Sequence, residues 1–147
     1  VQLRPGCLRR RQAGLGRVSR SPAEVARSYV ESFAAGDPDA VAAHVADDFV
    51  NDHTAALGSG CVGRDEYRRR LPGFLGGFTG LRYEVEAVIG DGPLVAVPYR
   101  MTASPAEGDV DLRGVMVIEV RDGLVARRTD YWDSLNYLRQ TGQTPAS

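Results

Sequence analysis

Asp122-Gly123 lies between two β-rich runs, 115–120 before it and 124–132 after it. Both residues tolerate positive φ at a turn, so the pair predicts a two-residue hairpin joining antiparallel strands. The second strand carries Asp130 toward an aromatic end, Tyr131-Trp132, and runs directly into Asp133-Ser134-Leu135, a helix start. A carboxylate at an aromatic strand end, beside a chain reversal, is where a small domain tends to keep a pocket.

Upstream, Ser21-Pro22-Ala23-Glu24 is a capping box with proline at the first helical position, and Val25, Tyr29 and Phe33 follow at helical spacing. Gly36 ends that helix. Asp37-Pro38 starts a second, read through residue 46, with Val41, His44 and Val45 on related faces. A short strand is expected over 49–54. A glycine-rich loop, 58–63, leads to an irregular third helix, 64–78, which Pro72, Gly73 and Gly76-Gly77 should break or end. Further strands are expected at 81–89, 94–103 and 109–120, with Asp91-Gly92 turning the first into the second. Helices gathered ahead of a run of strands predict one α+β domain. Its curved, mostly antiparallel sheet would have the N-terminal helices across its mouth, enclosing a cone-shaped cavity.

The chain has 147 residues, enough for one domain with one core. Its formal net charge of −1 gives no reason to expect nucleic acid or an anionic membrane as a partner. No apolar run approaches the ~20 residues that cross a bilayer. Cys7 and Cys61 show no metal or CxxC spacing, so a reduced, cytoplasmic chain without disulfides is expected. There is no phosphate-binding glycine pattern and no metal-ligand cluster, so no cofactor is implied. All 18 basic residues are arginine, which suits GC-rich bacterial coding. Residues 1–20 are rich in arginine and hold no acid. They are expected to be a disordered arm without function, within which Val18 could be the true start. The domain is then 21–142, with a tail at 143–147.

The order of elements resembles the nuclear-transport-factor-2-like superfamily, as do Tyr29-Val-Glu-Ser-Phe-Ala-Ala-Gly-Asp37, Ala46-Asp-Asp-Phe-Val-Asn-Asp-His53 and Gly63-Arg-Asp65. The tail, Asp-Gly-x-Val followed by Asp133-Ser-Leu-x-x-Leu-x-Gln-x-Gly142, is most similar to SnoaL-like polyketide cyclases. This superfamily holds isomerases, cyclases, epoxide hydrolases, dehydratases and non-catalytic binders, so the resemblance implies a fold before it implies a reaction. It points to a cofactor-independent enzyme performing acid/base chemistry on a small hydrophobic carbonyl compound. The alternative is a non-catalytic ligand-binding or dimerisation module. A homodimer is expected from the resemblance.

In a strand, Asn51 and His53 share a face. Resemblance to epoxide hydrolases turns that face into the cavity, where amide and imidazole would orient a water or a carbonyl, with His53 suited to proton transfer. Counted from the Gly123 turn, Asp130 falls where those hydrolases keep a catalytic carboxylate. If it faces inward so does Trp132, and desolvation beside the indole would poise the acid for proton transfer. Asp133 is the rival. Counted back from Gly142, it matches the acid/base carboxylate of the cyclases, although Asp at a strand–helix junction is also a common N-cap. Tyr29 matches the hydrogen-bonding tyrosine of the ketosteroid isomerases, an oxyanion donor, or else is a core aromatic. Tyr99 and Arg100 sit late in a wall strand, from which one of them could contact a carbonyl or anionic oxygen, or else Arg100 is a solvated outward residue. Departures from the resemblance matter too. The strand that carries a protonated acid in the isomerases reads Val115-Met116-Val117 here, and Val97-Pro98-Tyr99-Arg100 lacks the second acid of the epoxide hydrolases. Neither of those mechanisms is expected to transfer intact.

Overall fold

The structure, a computed structural model, describes residues 19–143. Almost all of the expected basic arm, and the tail beyond Gln143, lie outside the described residues. Helix α1 (Pro22–Ser32) opens as its sequence requires, with a reciprocal capping box between Ser21 and Glu24, and buries Val25, Ala26, Tyr29 and Val30. A 3-10 turn at Phe33–Ala35 follows, ended by Gly36. Helix α2 is only Pro38–Ala42, capped by Asp37. It is shorter than its sequence suggested because the chain becomes extended at Val45, whose side chain is needed in the core.

Strand β1 (Val45–His53) therefore starts four residues earlier than expected, and Cys61–Val62, read as loop, pairs with it as strand β2. Helix α3 (Arg64–Gly77) continues through Pro72. Its Tyr67 and Leu71 are buried and Phe74 packs against the core, an apolar stripe that outweighs the hydrogen bond lost at proline. The run 81–89 divides into β3 (Arg82–Val85) and β4 (Ile89–Asp91), which pair with different stretches of the same neighbour. That neighbour, β5, spans Leu94–Ala103 as expected. Strands β6 (Val110–Arg121) and β7 (Leu124–Trp132) form the hairpin, with positive φ at both Asp122 and Gly123. Helix α4 (Ser134–Gln140) closes the described chain.

Among the described residues there is a single curved sheet in the order β2-β1-β7-β6-β5-β3, with β4 also on β5. All of its pairings are antiparallel except β1 with β7. Alternation does the sorting. Val95, Val97, Tyr99 and Met101 of β5 and Leu112, Met116 and Ile118 of β6 are buried on the concave face; α1 packs over β5 and β6, and α3 over β1. Burying a side chain such as Met116 or Ile118 is worth about 1.5–3 kcal/mol each, and this row ties the helices to the sheet.

Candidate functional site

The parallel register of β1 against β7 sets Asn51 beside Arg128 and His53 beside Asp130. All four side chains rise from the concave face, two residues apart on each strand. Arg128 and Asp130 are almost wholly buried. Arg128 Nη1 donates to the Tyr29 hydroxyl at 2.9 Å, and Nη2 lies 3.1 Å from His53 Nε2 and 3.4 Å from Asp130 Oδ2. The Tyr29 and Tyr67 hydroxyls share a 2.6 Å hydrogen bond. On the other flank Tyr99 donates to Asp130 Oδ1 at 2.7 Å, and the Trp132 indole N–H is aimed at His53 Nδ1, 3.3 Å away.

Tyr99 reaches Asp130 across β6 because position 114 is glycine. A Cβ on Gly114 would fall 2.5 Å from the Tyr99 hydroxyl and 2.6 Å from the Tyr131 carbonyl oxygen, where neither can stay. The cluster is thus held by contacts from α1, α3, β1, β5 and β7.

Burial sets the protonation states. It is the largest influence on His53, and with Arg128 beside it the imidazole pKa is pushed down to about 4, against the upward pull of Asp130 and Asp52. The ring is neutral at physiological pH. Burial alone would lower the Arg128 pKa, but the oxygens of Tyr29, Tyr67, Asp130 and Tyr83 more than offset it, and the guanidinium stays charged. Burial also raises the Tyr99 phenol, and the nearby Asp130 carboxylate raises it further, so Tyr99 serves as a donor.

A cavity of about 290 Å³ opens over this cluster. His53, Tyr99, Arg128, Asp130 and Trp132 form its polar floor, together with Tyr83. Phe74 and Phe78 from α3, Tyr137 from α4, Met101, Leu112 and the loop 57–59 make the walls. A smaller hollow of about 100 Å³, sharing His53, Ser59, Phe74 and Arg128, holds Asn51 and Tyr67. There Asn51 Oδ1 and Arg128 Nε are buried without partners.

The sequence-derived residues separate clearly on this geometry. His53, Asp130, Tyr99 and Trp132 line the main cavity. Asn51 faces the same way but looks into the smaller hollow. Three expectations are corrected. Asp133 caps α4, accepting from the Leu135 and Asn136 amides, and is exposed. Arg100 points to the convex side, paired with Asp111 at 2.6 Å, because Tyr99 takes the inward position. Tyr29 does not line the cavity; its hydroxyl is spent on Tyr67 and Arg128. Two residues were missed. Arg128 shares its strand face with Asp130, so alternation from Asp130 could have found it. Tyr83, buried on β3, carried no signal beyond its aromaticity.

A curved sheet roofed by helices over an apolar hollow, with a small charged cluster on the sheet floor, defines the cavity proteins of nuclear-transport-factor-2-like fold. The sequence matches the SnoaL-like domain over residues 26–128, and the chain belongs to that family. Solved structures agree on the fold. A protein of ketosteroid isomerase-like fold from Catenulispora acidiphila DSM 44928, in complex with trimethylamine, is 15% identical with a TM-score of 0.76, covering 86% of this chain and 96% of its own. An LEH-like epoxide hydrolase from M. tuberculosis is 20% identical with a TM-score of 0.71, covering 83% and 90%. A Kribbella flavida DSM 17836 protein, a ketosteroid isomerase by designation only, is 30% identical with a TM-score of 0.62, covering 76% of each chain. No curated protein matches the sequence.

Proposed function

We propose that this protein is a small-molecule enzyme that moves a proton on a hydrophobic carbonyl compound held in the main cavity. The observation that supports it most is one buried carboxylate, Asp130, at the floor of an otherwise apolar hollow, fixed by Tyr99 and Arg128. In this reading Asp130 takes a proton from the carbon next to the carbonyl. The C–H bond breaks and its electron pair moves onto the carbonyl oxygen as an enolate, and the proton returns to the same or a conjugated carbon. Fixing the base this way removes the orientational cost of meeting the substrate. The His53 imidazole is a poorer base, because burial and the neighbouring Arg128 push its pKa down to about 4. Side chains of this chain suffice for the step.

The direct test is exchange. The protein is incubated in D₂O with a panel of apolar ketones and lactones, and deuterium at the carbon beside the carbonyl is followed by mass spectrometry. Incorporation that is lost in Asp130→Asn supports the proposal, and no incorporation from any member tells against it.

A second reading, a ligand-binding module without turnover, is favoured by one feature. Asp130 is the only carboxylate lining the cavity among the described residues, and it is already paired with a guanidinium. Binding of the same panel without exchange would support that reading. The proposal includes a homodimer through the convex face, where Pro98, Val115 and half-exposed Tyr131 stand in one cross-strand row. Sedimentation equilibrium measures it.

A further inference from the structure

His53 is the frustrated member of the cluster, because both of its ring nitrogens face groups that can only donate. Nε2 lies 3.1 Å from Arg128 Nη2, and Nδ1 lies 3.3 Å from Trp132 Nε1. A neutral imidazole has one N–H and one lone pair, so it accepts from only one of them. The guanidinium is nearer and charged, and charge-assisted hydrogen bonds are the stronger kind. Nε2 therefore keeps the lone pair and Nδ1 carries the hydrogen. The Nδ1–H and the indole N–H then meet donor to donor. Asp130 Oδ2, at 4.0 Å from Nδ1, is beyond hydrogen-bond reach. Both residues are half-buried and line the main cavity, so an oxygen of the cavity's ligand can reach this pair of N–H groups and relieve the donor-to-donor contact.

The geometry points to an acceptor subsite: His53 Nδ1–H and Trp132 Nε1–H together bind one neutral oxygen of the cavity's ligand, a carbonyl oxygen ~2.9 Å from each nitrogen. Charge excludes the main competitors. Arg128 and Asp130 neutralise each other, which leaves no net positive charge for a carboxylate. An ammonium group would face the positive ends of two N–H dipoles. The inference rests on the proposed reading of the cavity and adds which atom of the ligand goes where. An oxygen on these donors sits beside Asp130, so the neighbouring carbon is presented to the carboxylate. Negative charge arriving on the oxygen meets donors already in place.

The test uses two probes of equal size with the whole chain: 2-acetylnaphthalene, and 2-ethylnaphthalene, in which a methylene replaces the carbonyl. The chain has one tryptophan, so the ¹⁵N-labelled protein shows one indole N–H cross-peak, and no assignment is needed. The ketone is expected to bind about fivefold to tenfold tighter than the hydrocarbon by calorimetry, the worth of one or two neutral hydrogen bonds. It should move the indole proton downfield, while the hydrocarbon leaves that peak without a hydrogen-bond shift. Trp132→Phe should keep hydrocarbon binding and cut the ketone preference to about twofold to threefold, the share of the remaining His53 donor. Equal binding of the two probes with an unmoved indole proton would overturn the subsite and leave the cavity reading standing. Failure of both probes to bind would overturn the cavity reading and the subsite with it. Trimethylammonium displacing the ketone from the indole would also overturn the subsite. The cross-peak is read on the native protein, so the result does not depend on the variant folding.

Discussion

Replacing Asp130 by asparagine preserves shape and removes one charge, which isolates the pairing that organises the cavity floor. The guanidinium and carboxylate are 3.4 Å apart and both nearly inaccessible. With an effective dielectric of about 20 their attraction is about 5 kcal/mol, and breaking a buried pair by removing one partner costs about 3–5 kcal/mol. An asparagine makes matters worse than charge alone suggests. Its single oxygen cannot accept from Tyr99 and also serve Arg128, so an amide NH₂ is turned toward one of two donors. We expect Asp130→Asn to lower unfolding free energy by about 3–5 kcal/mol, seen in urea as a reduced midpoint at unchanged slope. Arg128→Met in the same chain should recover much of the loss, because the orphaned charge goes with it. A loss under about 1 kcal/mol, or a double variant whose loss is the sum of the two single losses, would refute the view that this pair is mutually dependent.

Stability should also depend on acid through His53. The unfolded ring, near pKa 6.5, takes a proton that the folded ring refuses until about pH 4, so stability is complete above pH 6.5 and declines as pH falls through that window. The loss is about 2 kcal/mol after allowing for the ring's partial contact with water, and His53→Gln should flatten the profile. An NMR titration placing the His53 midpoint near 6.5 would contradict it. Gly114→Ala should cost about 1–3 kcal/mol, since the new methyl meets Tyr99 and the Tyr131 backbone, and a crystal structure of the variant should show Tyr99 displaced from Asp130. An undisturbed Tyr99–Asp130 hydrogen bond in that variant would show that β6 yields instead.

Local chemistry was readable along the chain. The Asp122-Gly123 pair placed the β6–β7 hairpin, because few residues adopt positive φ twice in succession. Ser21 and Glu24 marked the start of α1 by reciprocal capping, and the period-two rule put Asp130 and Trp132 on one face. The same rule made Asn51 and His53 neighbours, and set Arg100 opposite Tyr99. These are short-range constraints, settled within a few residues.

What tertiary structure decided is which strand lies beside which, and therefore which charges meet. The parallel pairing of β1 with β7 joins residues more than 70 positions apart, and no local pattern encodes it. From it follow the contact of Arg128 with His53, and that of Trp132 with the same ring. Asp133 illustrates the same limit from the other side: its spacing from Gly142 suited a catalytic acid, yet its carboxylate is consumed by the amides of the helix it begins. A backbone donor two residues away outcompetes any distant use of that side chain. Arg128 carries no local mark of its importance, because a buried guanidinium is defined by the oxygens folded around it from α1, α3 and β7.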